Sequence, residues 1–401
     1  MEEYEPSPTD FTHQAAGTGL HPGFYILAHL HQTSMLLRTV LFVVDEARTL
    51  LDTYSPFPGK QNLEAAATAA LQLLLAGLRL SEEFIAAGRE AGASMVLTSL
   101  ASLLLGINPR TGAPDHMLNV TKFVYYGYWL PAAKLAAVKV IGYVAAAPAN
   151  QPALLATLTA TPDVSNLTLK AFTDALDAED DEETEEAEGA AVSRGPRLKP
   201  REPGATRLAI LDVLRTGLSM PSPSLAHFLL GFDLRRGVGR TELQNPSVAG
   251  IRTPLHAIVD LLSPTEPGSP AAVILAAPQL ASAMFHLIFM LVSNPETAEP
   301  VLRFLRSAGR DFFAGQLACI TAIVEQEGGV QSLRSAAWLL RATAVELRVL
   351  ARTRQASQAA RLLGLLLDAT GGSGDSLDGG SGENGDGTAA ASGRVRKIRF
   401  P

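Results

Sequence analysis

Apolar positions along this chain recur at helical spacing. Leu225, Phe228, Leu229 and Phe232 follow the i, i+3, i+4, i+7 pattern of a buried helix face. Leu333, Ala337, Leu340, Ala344 and Leu347 form a heptad-like seam. The spacing assigns Leu225, Phe228, Leu229, Phe232, Leu340 and Leu347 to packing between helices. Pro and Gly punctuation divides the chain into about fourteen helical runs. The first is expected from about 21 to 54, followed by 61–80, 81–105 and 116–147. Shorter helices are expected at 152–160, 165–177, 206–219, 224–235 and 253–262. The last are expected at 278–293, 296–308, 311–326, 329–354 and 356–369.

Two boundaries have identifiable causes. Ser81 followed by Glu82 and Glu83 suits a helix start, where a hydroxyl satisfies orphan N–H groups and acids meet the positive end of the dipole. Pro131 removes a hydrogen bond and clashes with the preceding turn, so a kink or boundary is expected there. It follows an aromatic cluster of Phe123, Tyr125, Tyr126, Tyr128 and Trp129. That cluster reads first as core packing, and second as a groove for a short partner segment.

Composition agrees with helices. Leu and Ala dominate the apolar runs, and neither loses much side-chain freedom in a helix. The fold class is therefore all-α. No 34- or 40-residue period is visible, which sets aside tetratricopeptide and ankyrin arrays. An irregular α-solenoid of stacked helical pairs, HEAT- or armadillo-like, fits best, each pair burying its stripe against its neighbours. Polar or Gly-rich stretches divide it. Residues 1–20 read as disordered, and 21–177 as a first solenoid segment. Residues 178–205 read as a disordered linker, acidic then basic, and 206–369 as a second solenoid segment. Residues 370–401 read as a Gly-rich linker and a truncated helix start, RVRKIRFP, as in an internal stretch of a longer protein.

Charge changes the picture in two places. Residues 177–188, DAEDDEETEEAE, hold nine acids and no base. Setting those nine aside from a net −7 leaves +2, too little for a broad nucleic-acid footprint. Arg334, Arg341, Arg348 and Arg352 line one side of the 329–354 helix, and Arg354 and Arg361 extend the basic region. Glu346 is the one acid between 330 and 361. This is either a solvated face whose Arg stems cover apolar surface, or a docking surface for an acidic partner or the chain's own acidic linker. RNA binding is disfavoured because no aromatic interleaving accompanies the arginines.

Candidate chemistry is sparse. One cysteine, Cys319, in an apolar helical stretch, excludes an intrachain disulfide and a cysteine zinc site. His29 and His31 diverge around a helix by about 200°, unlike a zinc-binding i, i+4 pair. Gly237-Val238-Gly239 lacks the strand and lysine of a phosphate loop. The carboxylates crowd the linker, where nothing holds them in a working geometry. No catalytic residue, cofactor or metal is expected. No stretch reaches the ~18 uninterrupted apolar residues of a membrane span.

The stretches SLAHFLLGFDLRR (224–236), LQNPSVAG (243–250), LHAIVDLL (255–262) and WLLRATAVELRVLARTRQASQAARLLGLLLD (338–368) together resemble the large inner-ring scaffold nucleoporins of the nuclear pore complex. HPGFYILAHL (21–30) is similar in a less specific way. The resemblance is strongest over 206–369. It implies a long α-solenoid at the nuclear envelope that binds linker-nucleoporin segments and neighbouring scaffold subunits, and it implies no enzyme. The competing reading is a helical-repeat adaptor, or a transport-receptor-like protein that binds mobile cargo.

Overall fold

The computed structural model describes residues 22–53, 57–90, 97–126, 130–178, 204–243, 251–264, 269–307, 311–325 and 329–371. Nearly all of the 1–20, 178–205 and 370–401 readings lie outside them, as do Tyr128, Trp129 and most of the LQNPSVAG stretch. Nineteen α-helices and no strand occur among the described residues. They are α1 (Pro22–Leu30), α2 (Met35–Leu51), α3 (Lys60–Arg79), α4 (Ser81–Glu90), α5 (Leu100–Leu104), α6 (His116–Tyr125) and α7 (Pro131–Ala145). Next come α8 (Gln151–Leu158), α9 (Pro162–Asp177), α10 (Ala205–Leu218), α11 (Leu225–Leu229), α12 (Pro254–Leu262) and α13 (Ala272–Ala276). The chain continues with α14 (Pro278–Ser293), α15 (Ala298–Ser307), α16 (Phe312–Ala318), α17 (Ile320–Glu325), α18 (Gly329–Arg352) and α19 (Ala356–Gly371).

The helices stack in two rows. One runs α3, α7, α10, α14, α18, each packed on the next. The other runs α2, α6, α9, α12. It extends to α16, where the Gln316 amide donates to the Leu262 carbonyl at 2.6 Å, and then to α19. Between the rows α2 packs on α3, α6 on α7, α9 on α10, α12 on α14 and α18 on α19. One continuous apolar core from Leu30 to Leu362 lies between them. This is the solenoid arrangement, in which each pair covers its stripe with the next. Close approach between packed helices uses small residues. A Cβ on Gly142 of α7 would lie 2.9 Å from Val213 Cγ2 of α10, and one on Gly217 would lie 2.6 Å from Ala226 Cβ.

Several expected helices are divided, each by a local cause. The 21–54 run is two helices bent by 68°, because the Ser34 hydroxyl accepts the Leu37 N–H and restarts the chain as α2. The helix from Ser81 ends at Glu90 instead of Leu105, and Ser81 is not a cap: its hydroxyl meets His31 Nε2 at 2.9 Å. Pro131 is a boundary, at the first position of α7 where its missing N–H is harmless. The 311–326 run is two short helices, with Cys319 buried between them. The 224–235 run stops at Leu229. Gly231 takes φ +89°, the Gly231 N–H returns to the Phe228 carbonyl, and the Phe232 N–H returns to the His227 carbonyl at 3.0 Å. This Schellman closure puts Phe232 beyond the helix. Leu225, Phe228, Leu229 and Phe232 are nevertheless all buried.

One packing assignment is corrected. Leu340 is 42% exposed, and Leu333, Ala337 and Ala344 of the same seam are also exposed. Leu347 is half-buried against the core. The buried face of α18 is the opposite one: Ser332, Ser335, Ala336, Leu339, Ala342, Thr343, Glu346 and Leu350. Small side chains there let α14 lie close along α18, so the core takes the face with less apolar bulk and leaves the leucine seam outside.

Candidate docking surface

The longest helix, α18, carries the candidate surface. Arg334, Arg341 and Arg348 project from it as exposed side chains at seven-residue spacing, which returns nearly to the same angle, and Arg352 is exposed one turn beyond Arg348. Among the described residues, Arg334, Arg348 and Arg352 make no ion pair. The neighbouring charges are already engaged. Glu346 is fully buried and receives a bidentate contact from Arg306 of α15, Nε to Oε1 and Nη2 to Oε2, both at 2.7 Å. Arg361 lies 3.6 Å from Asp311. The sole acid of this stretch is thus turned into the core, and the outer face is purely basic.

Arg341 has a different neighbour. Its guanidinium carbon lies 4.7 Å from the Trp338 ring centroid, a cation–π contact. Trp338 in turn stacks on His286 of α14, with centroids 4.0 Å apart and planes within 15°. Burial first, then the positive charges of Arg215 and Arg341, hold His286 below the ordinary histidine range, so its ring is neutral at pH 7.

His286 also lines a groove of about 1000 Å³ that crosses the α3–α7–α10–α14 row. Its charged lining is Arg79, Lys139, Arg215 and Asp212, and Arg215 bonds Asp212 at 3.1 Å. Tyr143 and Met290 add apolar surface. The groove and the arginine face meet at the His286–Trp338 stack, so one basic surface runs along all five helices of the row. Sequence reasoning found the α18 arginines by their seven-residue period. It missed Arg79, Lys139 and Arg215, which lie on separate helices and share no local pattern.

Other polar residues are bound into structure. Asp45 accepts the side-chain amides of Asn108 at 2.8 Å and Asn119 at 2.6 Å, which ties α2 to the loop before α6 and to α6 itself. Of the aromatic cluster, Phe123 and Tyr126 are buried edge to face, and Tyr125 is partly exposed. His227 and His256 occupy the same position in two capping boxes, Ser224-x-x-His227 and Thr253-x-x-His256. In each, Nδ1 accepts the N–H of the cap residue, at 3.3 and 3.2 Å. His31 is wholly buried, its Nδ1–H donating to the Leu27 carbonyl at 2.8 Å. Gly237–Gly239 falls in a loop with one 3₁₀ turn, Val238–Arg240. Among the described residues no group of three His, Cys, Asp or Glu side chains is placed to hold a metal ion.

Comparison with known proteins adds a chain-wide likeness. The family described as "Nuclear pore complex scaffold, nucleoporins 186/192/205" matches residues 12–388. The human "Nuclear pore complex protein Nup205" is 34% identical over 378 residues, which cover 92% of this chain and 18% of that protein. The Drosophila melanogaster "Nuclear pore complex protein Nup205" is 26% identical over 419 residues, 92% of this chain and 20% of that protein. The chain therefore spans about a fifth of the length of these relatives.

Proposed function

Because this chain belongs to the nuclear pore complex scaffold family of nucleoporins 186/192/205, we propose that it serves as a structural scaffold segment of the pore's inner ring. On this reading it supports pore assembly and nucleocytoplasmic transport through contacts with other nucleoporins, and it performs no catalytic step. The observation that supports it is the two-row stack of helices with one continuous core, a shape suited to span and hold. The contact surface is the basic face of Arg334, Arg341, Arg348 and Arg352 together with the groove at His286. Its partner is an acidic segment of a linker nucleoporin or a neighbouring scaffold subunit.

The test is capture of inner-ring subunits from nuclear envelope extract by the tagged chain. Wild type should retain them at low salt. The charge reversal Arg341→Glu/Arg348→Glu should release them, and rising salt should mimic it. Capture that is indifferent to both charge reversal and salt would sink the docking part. Binding that switches with the nucleotide state of a small GTPase would favour the mobile-cargo adaptor instead.

A further inference from the structure

The outer face of α18 carries more than charge. Taking Leu333 as heptad position d, the helix places Val330, Ala337, Ala344 and Ala351 at a, and Leu333, Leu340 and Leu347 at d. Arg334, Arg341 and Arg348 all fall at e. Val330 is 65% exposed and Leu333 55%. Positions c, f and g hold Ser332, Leu339, Glu346, Ser335, Ala342, Ala336, Thr343 and Leu350, all buried in the core, with Val349 half-buried against it. One helix thus has two faces: an inner one that the fold uses, and an outer one patterned as one strand of a coiled coil, with small residues at a, Leu at d and a basic e flank.

We propose that this face is one half of a two-helix interface, and that the other half is an acidic amphipathic helix that residues 1–401 do not contain. The inference rests on the docking reading above and specifies its occupant. Charge selects that occupant. Three arginines at successive e positions require acids on the facing flank, and the acid within α18 is spent on Arg306. A second copy does not fit. Antiparallel pairing opposes e to e and sets arginine against arginine. Parallel pairing opposes e to g, and here g is buried. Nor do residues 1–401 supply the helix themselves. The acidic run 177–188 contains no Leu, Ile, Val, Met or Phe to fill the seam. Residues 372–401 are broken by glycine and end basic, and Pro6 and Pro8 break the acidic start. The seam from 330 to 347 is roughly 27 Å long, which calls for about five turns of partner helix. Large apolar residues on that helix would lie opposite Ala337 and Ala344.

The probe is a fluorescein-labelled synthetic peptide of three heptads, with Leu at both core positions and Glu at both flanks. A twin carries Lys in place of Glu. Fluorescence anisotropy against the full chain should show saturable binding of the Glu peptide, weakened by salt. Leu340→Glu, a surface change that leaves the melting temperature near wild type, should weaken it at least about tenfold. Arg341→Glu/Arg348→Glu should do the same and transfer binding to the Lys twin. The proposal is overturned by any of four results: no binding to wild type, equal binding to Leu340→Glu, equal binding of the two peptides to wild type, or a wild-type dimer in sedimentation that Leu340→Glu dissolves. If capture of pore subunits depends on Arg341 and Arg348 but not on Leu333 and Leu340, the docking reading stands and the helix inference falls.

Discussion

The Arg306–Glu346 pair shows how much a single contact decides at this solenoid's C-terminal end. A carboxylate with no exposed surface is tolerable because a guanidinium from another helix meets both its oxygens. Arg306→Ala strands that charge and should cost about 3–5 kcal/mol, while replacing both partners with Met and Leu should recover most of it. Chemical denaturation of the three proteins checks this, and equal losses in the single and double variants would contradict it. The buried histidines make a second residue-scale prediction. Burial, the leading cause in each case, holds His31, His116 and His227 below their ordinary value. Unfolded, each takes up a proton near pH 6.5; folded, each does so at lower pH. Their contribution to stability is therefore complete above pH 6.5 and is lost as pH falls through that value toward the folded-state values. At His227 protonation also turns the capping acceptor into a donor. His227→Asn, which keeps an acceptor in place, should flatten the fall in melting temperature between about pH 7.5 and 5.5. An unchanged slope would remove His227 from the effect.

Element by element, the sequence revealed helices better than their ends or their inward faces. Leu- and Ala-rich runs with a 3.6-residue period have one structural outcome, so α3, α9, α10, α14 and α18 are all legible within a few residues. Ends were misplaced where one side chain or one left-handed residue closes the helix, as at Ser34 and Gly231. Such closures depend on a few atoms and leave no periodic trace. The α18 seam follows the packing period and is nevertheless outside, because periodicity reports an apolar face without saying what covers it. On α18 two faces are apolar enough to compete, and tertiary contact with α14 chose the one with small residues. The arginine stripe was legible for the same reason that the seam was: both repeat every seven residues. The end of α18 holds a further element-scale prediction. Arg354 sits at φ 59°, with its N–H on the Ala351 carbonyl and the Gln355 N–H on the Leu350 carbonyl. This is the same closure that Gly231 makes, built on a residue with a Cβ. Arg354→Gly relieves the left-handed strain and should raise stability by about 1 kcal/mol, read as a higher melting temperature. A loss would mean that the Arg354 side chain contributes packing that outweighs the strain.

At the scale of the whole molecule, the acidic stretch after α9 separates two halves in sequence that the fold joins in space. The joint is made in both rows. In one row α7 packs on α10 through Gly142 and Val213. In the other α9 packs on α12, where Arg252 bonds both Asp177 and Asp260, and the Thr173 hydroxyl donates to the Arg252 carbonyl. Gln151 spans the halves as well: its amide donates to the Ala145 carbonyl at 2.5 Å, and its oxygen accepts the Leu225 N–H at 2.7 Å. A solenoid is held by such nearest-neighbour contacts and not by the covalent link between them. The chain divided into residues 1–178 and 204–401 should therefore reassemble when the two pieces are co-expressed, eluting together in size exclusion. Each piece alone exposes the apolar face that its neighbour covered and should aggregate. Gly142→Leu forces a side chain against Val213, so it should weaken reassembly while leaving the 204–401 piece unchanged. Two pieces that stay soluble and separate would show that the halves are independent bodies, with the long core between them contributing little to either.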